Sequence, residues 1–297
     1  PTLSNLSETI VYREMKLLIK NIKKLINVRD ESPCRPLSGG ELGVLPTIDN
    51  GYLLIEEGLI SDYGTMGECD LQSLENAVDK VIDAAGKMVF PSYCDSHTHL
   101  VYAGSREIEF MDKIRGLSYQ EIARRGGGIL NSVELLHNTS EDALYAQAKG
   151  RAEEIIAFGT GAVEIKSGYG LTLEDEIKML RVAKRVDEQT PLTVKTTFLG
   201  AHAVPARYAG RKDEYVDEIV REMIPAVAAE GLADYVDIFC EEGFFSVEDS
   251  EKIFEAGIKY GMRPKVHANQ MSFSGGVQVG VKYGARSVDH LEFTGEA

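Results

Sequence analysis

The stretch Met88-Val89-Phe90-Pro91-Ser92-Tyr93-Cys94-Asp95-Ser96-His97-Thr98-His99 decides how this chain is read. It ends an apolar, strand-like run with two histidines spaced two residues apart. Residues i and i+2 of a strand share a face, so both imidazoles project to one side. Two neutral imidazoles aimed at one point suit a divalent zinc or iron ion. The strand context gives this pair more weight than an H-x-H in a loop.

On either side of that stretch the grammar differs. From Met15 to about Phe90, short apolar runs (Leu17-Leu18-Ile19, Tyr52-Leu53-Leu54-Ile55, Leu59-Ile60, Val81-Ile82, Met88-Val89-Phe90) are separated by the turn signals Ser38-Gly39-Gly40 and Asp49-Asn50-Gly51. This pattern predicts a small β domain over 15–87, a sandwich or partial barrel, behind a loose extension over 1–14. After Ser92, strands alternate with amphipathic helices, the signature of parallel βαβ units. Strands are expected at Gly161–Ile165, Leu192–Leu199, Tyr235–Cys240, Pro264–Val266 and Ser287–Phe293, with helices near 141–158, 174–189, 212–229, 247–259 and 275–283. With the strand from Met88 to Tyr93 that makes six, where a closed (β/α)8 barrel needs eight.

Five of the six histidines (His97, His99, His202, His267 and His290) fall at or just past expected strand ends, where parallel α/β folds bind ligands. His137 lies in a helical stretch and reads as a surface residue. His267, in Lys265-Val266-His267-Ala268-Asn269-Gln270, is the natural third metal ligand. His290 can be a ligand or a proton-transfer group, and His202 can bond a substrate carbonyl. A catalytic metal has three or more protein ligands and an open position for water. Lys166 lacks the context of a carboxylated bridging ligand, so a single ion is expected. The glycines do not have dinucleotide-binding spacing, Gly126-Gly127-Gly128 reads as a plain turn, and Cys94 and Cys240 read as packed thiols.

Composition narrows the classes. The 297 residues are 43% hydrophobic and 27% charged, enough for a sizeable core and inconsistent with disorder. The net charge of −15 repels phosphate backbones and anionic lipid, which argues against nucleic-acid and membrane partners but not against a small anionic substrate. The four cysteines are scattered, no basic-then-apolar leader is seen, and no apolar run approaches the roughly 18 residues of a membrane span. A cytoplasmic setting is expected.

The run Phe90–His99 behind a small β region is similar to the first-strand motif of the amidohydrolase superfamily. More narrowly, His99-Leu100-Val101-Tyr102-Ala103-Gly104-Ser105-Arg106, Glu164-Ile165-Lys166-Ser167-Gly168-Tyr169-Gly170-Leu171, Gly200-Ala201-His202-Ala203-Val204-Pro205 and Val288-Asp289-His290-Leu291-Glu292 resemble the imidazolonepropionases of histidine degradation. The likeness runs from about Met15 to the end of the chain. It implies an α/β, TIM-like (β/α)8 barrel of the amidohydrolase type over 88–297, lacking its last two strands here, beside an N-terminal β-sandwich. It also implies hydrolysis of the cyclic amide of 4-imidazolone-5-propanoate to N-formimidoyl-L-glutamate.

Residue by residue, the resemblance makes His97, His99 and His267 ligands of one zinc or iron ion. Arg106 and Tyr169 become substrate contacts, His202 a contact to the ring carbonyl, and His290 the histidine that helps activate water. Gln270 stands where some members carry Glu; an amide can hydrogen-bond the substrate but cannot take a proton. The family's fourth ligand, an Asp near the last barrel strand, is matched by no position here. A homodimer also follows from the family. Alternatives are another amidohydrolase-superfamily deaminase or cyclic-imide hydrolase, or a non-catalytic barrel scaffold.

Overall fold

The computed structural model describes residues 15–29, 37–105, 107–117, 121 and 129–295. The extension over 1–14, the glycine run 126–128 and Arg106 lie outside the described residues. Two compact units divide between Ser92 and Tyr93.

In the first unit, β1 (Leu17–Ile26) pairs antiparallel with β2 (Thr47–Glu56), which turns back through Glu57 and Gly58, both at positive φ, into β3 (Leu59–Thr65). Two consecutive left-handed residues make the tight hairpin turn whose twist matches the strands. On its other edge β1 pairs in parallel with β4 (Lys80–Asp83), then with β5 (Met88–Val89). Asp49-Asn50-Gly51 is not a turn: it runs inside β2, with Asn50 at φ 49°, near a β1 bulge that contains Asn21 at φ 55°. The bulge inserts one residue and shifts the parity of β1. Leu18 therefore packs with Tyr52 and Leu54 over the helix Leu71–Ala77, whereas Ile22 packs with Leu25 and Leu53 on the opposite side.

The described residues thus give one five-stranded sheet and no second sheet of a sandwich. Met88 and Val89 hydrogen-bond into it beside Lys24 and Leu25, so the strand expected from Met88 to Tyr93 is two strands, and the units part at 92/93 instead of 87/88.

The second unit is a parallel sheet whose spatial order follows the chain: β6 (Tyr93–Thr98), β7 (Thr160–Lys166), β8 (Thr193–Ala201), β9 (Tyr235–Cys240), β10 (Arg263–Pro264) continued by β11 (Val266–Ala268), and β12 (Val288–His290). Pro264 has no amide hydrogen, and the strand expected at Pro264–Val266 is interrupted at Lys265. The crossover helices start where the sequence supplies caps: Ser140 for Glu141–Ala157, Thr172 for Leu173–Gln189, and a Ser246/Asp249 capping box for Val247–Lys259. The stretch expected to be helical over 212–229 carries a π-turn at Ile219–Met223 just before Pro225.

Two apolar layers lie between sheet and helices. One is built from Phe198, Val236, Ile238, Val266, Ile253 and Phe254, the other from Val163, Ile165, Val182 and Val186. The sheet curls strongly, for His97 on β6 and Asp289 on β12, at opposite ends of the strand order, come within 2.9 Å.

Candidate active site

Alternation along the curled strands sends one set of side chains outward to the helices and the other inward. Val236, Ile238, Cys240, Val266 and Ala268 join the apolar layer. Inward go Glu164 and Lys166 of β7, Asp237 of β9, Lys265, and Asp289 of β12. Lys166 Nζ, wholly buried, donates to Glu164 Oε1 and Asp237 Oδ2 at 2.8 Å each and lies 3.4 Å from Asp289 Oδ2. Lys265 Nζ donates to Glu164 Oε2 at 2.7 Å and to the Ser96 carbonyl at 2.8 Å. Buried charges survive only when paired and hydrogen-bonded, and this network meets that condition. Burial works against both carboxylates, but His267 and Lys166 hold Asp237 well below the usual range, and His97, Lys166 and Lys265 do the same for Asp289. Burial also opposes the Lys166 ammonium, yet Asp237 and Glu164 lift its pKa above the ordinary value.

Above the network five imidazoles converge. His97 stands 4.5 Å from His267 and 5.2 Å from His290, ring centroid to centroid; His99 stacks on His202 at 5.0 Å and 7°. Ligand-capable atoms lie within 4.8 Å of one another in two triads that share His267: His97–His267–His290 and His99–His202–His267. The expected set His97, His99 and His267 is thus split between the two triads. Asp289 Oδ2 is 2.9 Å from His97 Nδ1, and Asp237 Oδ2 is 3.0 Å from His267 Nδ1, though without hydrogen-bond alignment. Among the described residues, His99 Nδ1 and both ring nitrogens of His267 are buried without a hydrogen-bond partner. Orphaned imidazole nitrogens in a polar pocket are what a metal ion satisfies, so the donor set fits a divalent zinc or iron ion.

Loops after the strands carry the remaining groups. Gly168 sits at φ +108°, and a Cβ there would lie 2.9 Å from His202 Nδ1, which donates to the Gly168 carbonyl at 2.9 Å. The buried carboxylate of Glu176 accepts from the amides of Gly168, Gly170 and Leu171 at 2.8–3.0 Å. Tyr169 is thereby held 5.0 Å from the His99 ring and 5.3 Å from that of His202. β12 ends at His290, which with the following Leu291 is left-handed, φ 81° and 62°, a strained exit that leaves His290 in the pocket wall. Burial and the neighbouring His267 and His97 lower the His290 pKa.

These groups line one pocket of about 460 Å³, with His97, His99, Tyr169, His202, His267, Gln270 and His290 all in its wall. Lys113, Phe239, Met271 and Glu292 complete it. Arg106, the expected carboxylate contact, lies outside the described residues. Sequence reading missed the charged floor; the i, i+2 spacing of Glu164 and Lys166 was the signal that both face inward. His137 is at the surface as expected, bonded to Asp175. Cys240 is packed and burial raises its thiol pKa, whereas Cys94 is exposed, contrary to expectation.

No protein-family model matches the sequence. Individual relatives do. The chain is 55% identical over 278 residues to the imidazolonepropionase of Flavobacterium johnsoniae, and 56% identical over the same length to that of Flavobacterium psychrophilum. In both cases 94% of this chain is covered. The chain belongs to the imidazolonepropionase family. It spans 66% of the length of those two imidazolonepropionases, and 65% of that of a Geobacillus member 42% identical to it.

Solved structures share the fold of this chain. Ochratoxinase of A. niger superposes with a TM-score of 0.60 at 14% identity, covering 95% of this chain and 61% of its own. The 5-methylcytosine deaminase of Klebsiella pneumoniae gives 0.57 at 15%, covering 90% and 55%. Atrazine chlorohydrolase of Arthrobacter aurescens, solved with zinc, gives 0.53 at 15%, covering 90% and 58%. The fold of the second unit is TIM-like α/β.

Proposed function

We propose that this chain hydrolyses the cyclic amide of 4-imidazolone-5-propanoate to N-formimidoyl-L-glutamate, with one zinc or iron ion held by His97, His99 and His267. The observation that carries the reading is the convergence of five strand-end histidines in one pocket of a chain 55% identical to an imidazolonepropionase. The ion, when bound, lowers the pKa of water and polarises the ring carbonyl.

The chain's own groups do the rest. His290, kept neutral by its surroundings, takes the proton of the attacking water at a ring nitrogen and returns it to the departing ring nitrogen as the C–N bond breaks. His202 commits its Nδ1 proton to the Gly168 carbonyl. A neutral His202 therefore presents Nε2 as an acceptor, and donating to the substrate carbonyl requires the imidazolium. Tyr169 and Gln270 orient the ring, and Arg106 binds the propanoate. A cytoplasmic setting and a homodimer complete the proposal; no helix among the described residues is long and apolar enough to cross a membrane.

Protein reconstituted with zinc or iron should convert the imidazolone to N-formimidoyl-L-glutamate, and metal-free protein should not. Turnover instead of a cytosine-type or cyclic-imide substrate in a parallel panel would transfer the chain to another amidohydrolase activity. Arg106→Ala should raise KM for the propanoate substrate; an unchanged KM removes its role.

A further inference from the structure

The segment Asn269–Ser274 leaves β11 after Ala268, the neighbour of His267, and carries Gln270 and Met271 into the pocket wall. It starts with Asn269 in a left-handed conformation, φ 53°, so the chain turns out of the sheet and the next amides lose their strand partners. Amides that leave a strand ladder take other partners, here in a half-buried segment. Here one side chain takes them. Glu241, 3% exposed and placed just after β9, accepts from Gln270 N at 2.8 Å and Met271 N at 3.1 Å through Oε2, and from the Ser272 hydroxyl through Oε1.

We infer that Glu241 is a positioning residue for catalysis, setting where Gln270 stands against the substrate ring. This rests on the proposed role of Gln270 as a substrate contact. Two observations separate Glu241 from an ordinary buried carboxylate. It is absent from the wall of the 460 Å³ pocket and lines the neighbouring groove, so it reaches the substrate only through the segment it holds. The Tyr169 loop is held by the same device, with Glu176 accepting from the amides of Gly168, Gly170 and Leu171 on either side of Tyr169. Both non-histidine substrate contacts described in the structure therefore hang on a buried carboxylate supplied by a different element. Main-chain clamps of this kind fix a side chain's origin, and a displacement of about 1 Å at a substrate contact costs on the order of 100-fold in rate.

The test uses metal-loaded protein and the variants Glu241→Ala, Glu241→Gln, Gln270→Ala and Glu241→Ala/Gln270→Ala. Glu241→Ala should lower kcat/KM by about 10- to 100-fold and move the same one of kcat and KM that Gln270→Ala moves. Glu241→Gln keeps an acceptor oxygen for the two amides and should recover most of the loss. The double variant should be no more than about 3-fold worse than the weaker single variant, because both remove one contact.

Losses that instead multiply in the double variant overturn the inference. Hydrogen exchange, read without substrate, is the independent arm. Segment 269–274 should lose protection in Glu241→Ala while β7, β8 and β9 keep theirs; unchanged protection at 269–274 overturns the clamp. Wild-type protein that exchanges as expected but does not turn over the imidazolone overturns the substrate assignment and leaves the clamp supported.

Discussion

His99 shows what burial does to a histidine proposed to bind metal. Its Nδ1 is enclosed, and burial together with His202, His267 and His97 holds its pKa well below 6.5, which favours the neutral imidazole that the proposed role as a metal ligand requires. The same shift has a stability consequence. Where a base has a lowered folded pKa, the unfolded chain takes up a proton that the folded chain refuses, so stability falls as pH drops below the unfolded value. Metal-free protein should therefore lose stability in urea as pH is lowered through about 6.5, and His99→Asn should flatten that slope. A wild-type profile already flat between about pH 5 and 8 contradicts the assignment. The His97→Ala/His99→Ala double variant should retain no tightly bound metal by elemental analysis, and full retention would remove both from the ligand set.

At the scale of elements, close approach decides which glycines can change. Gly257 lies inside the helix Val247–Lys259, where Ala is intrinsically better by about 1 kcal/mol. A Cβ there, however, would meet Val236 Cγ1 of β9 at 2.3 Å. Overpacking of about 1–3 kcal/mol outweighs the propensity gain, so Gly257→Ala should lower the denaturation midpoint. Gly168→Ala combines φ +108° with contact to His202 and should cost about 1–3 kcal/mol while also lowering kcat/KM through the displaced Tyr169 loop. A Gly168→Ala protein with wild-type kinetics would show that this loop tolerates rearrangement.

For the second unit as a whole, the charged floor joins strands that are far apart in sequence. Lys166 pairs with Asp237 and Asp289 across 71 and 123 residues. Removing one partner of a buried ion pair leaves uncompensated charge and costs about 3–5 kcal/mol, so Lys166→Met should be strongly destabilised in urea. The depressed carboxylates Asp237 and Asp289 contribute fully above their unfolded value of 3.8, and their share is lost as pH falls through the folded values. The raised Lys166 contributes fully below 10.5 and is lost as pH rises through its folded value. The stability gap between wild type and Asp289→Asn should thus stay level between those limits and narrow in acid. A gap that grows in acid would show that Asp289 is not charged in the folded protein.

Local chemistry made much of this legible from the chain. Helical periodicity and β-rich runs placed the crossover helices and most of the parallel strands within a residue or two, although the strand expected to reach Phe293 ends at His290, and the His97/His99 spacing pointed to the pocket. Those signals act over a few residues, so they are written in consecutive letters. The parity change at Asn21, the left-handed Asn50 inside β2, and the transfer of Met88 and Val89 to the small sheet depend on which strand lies alongside, and no local pattern encodes that. Glu164, Lys166, Asp237, Lys265 and Asp289 looked unremarkable one at a time. Only the curl of the sheet, which brings β6 within reach of β12, turned them into a buried network and gathered the five histidines in one pocket.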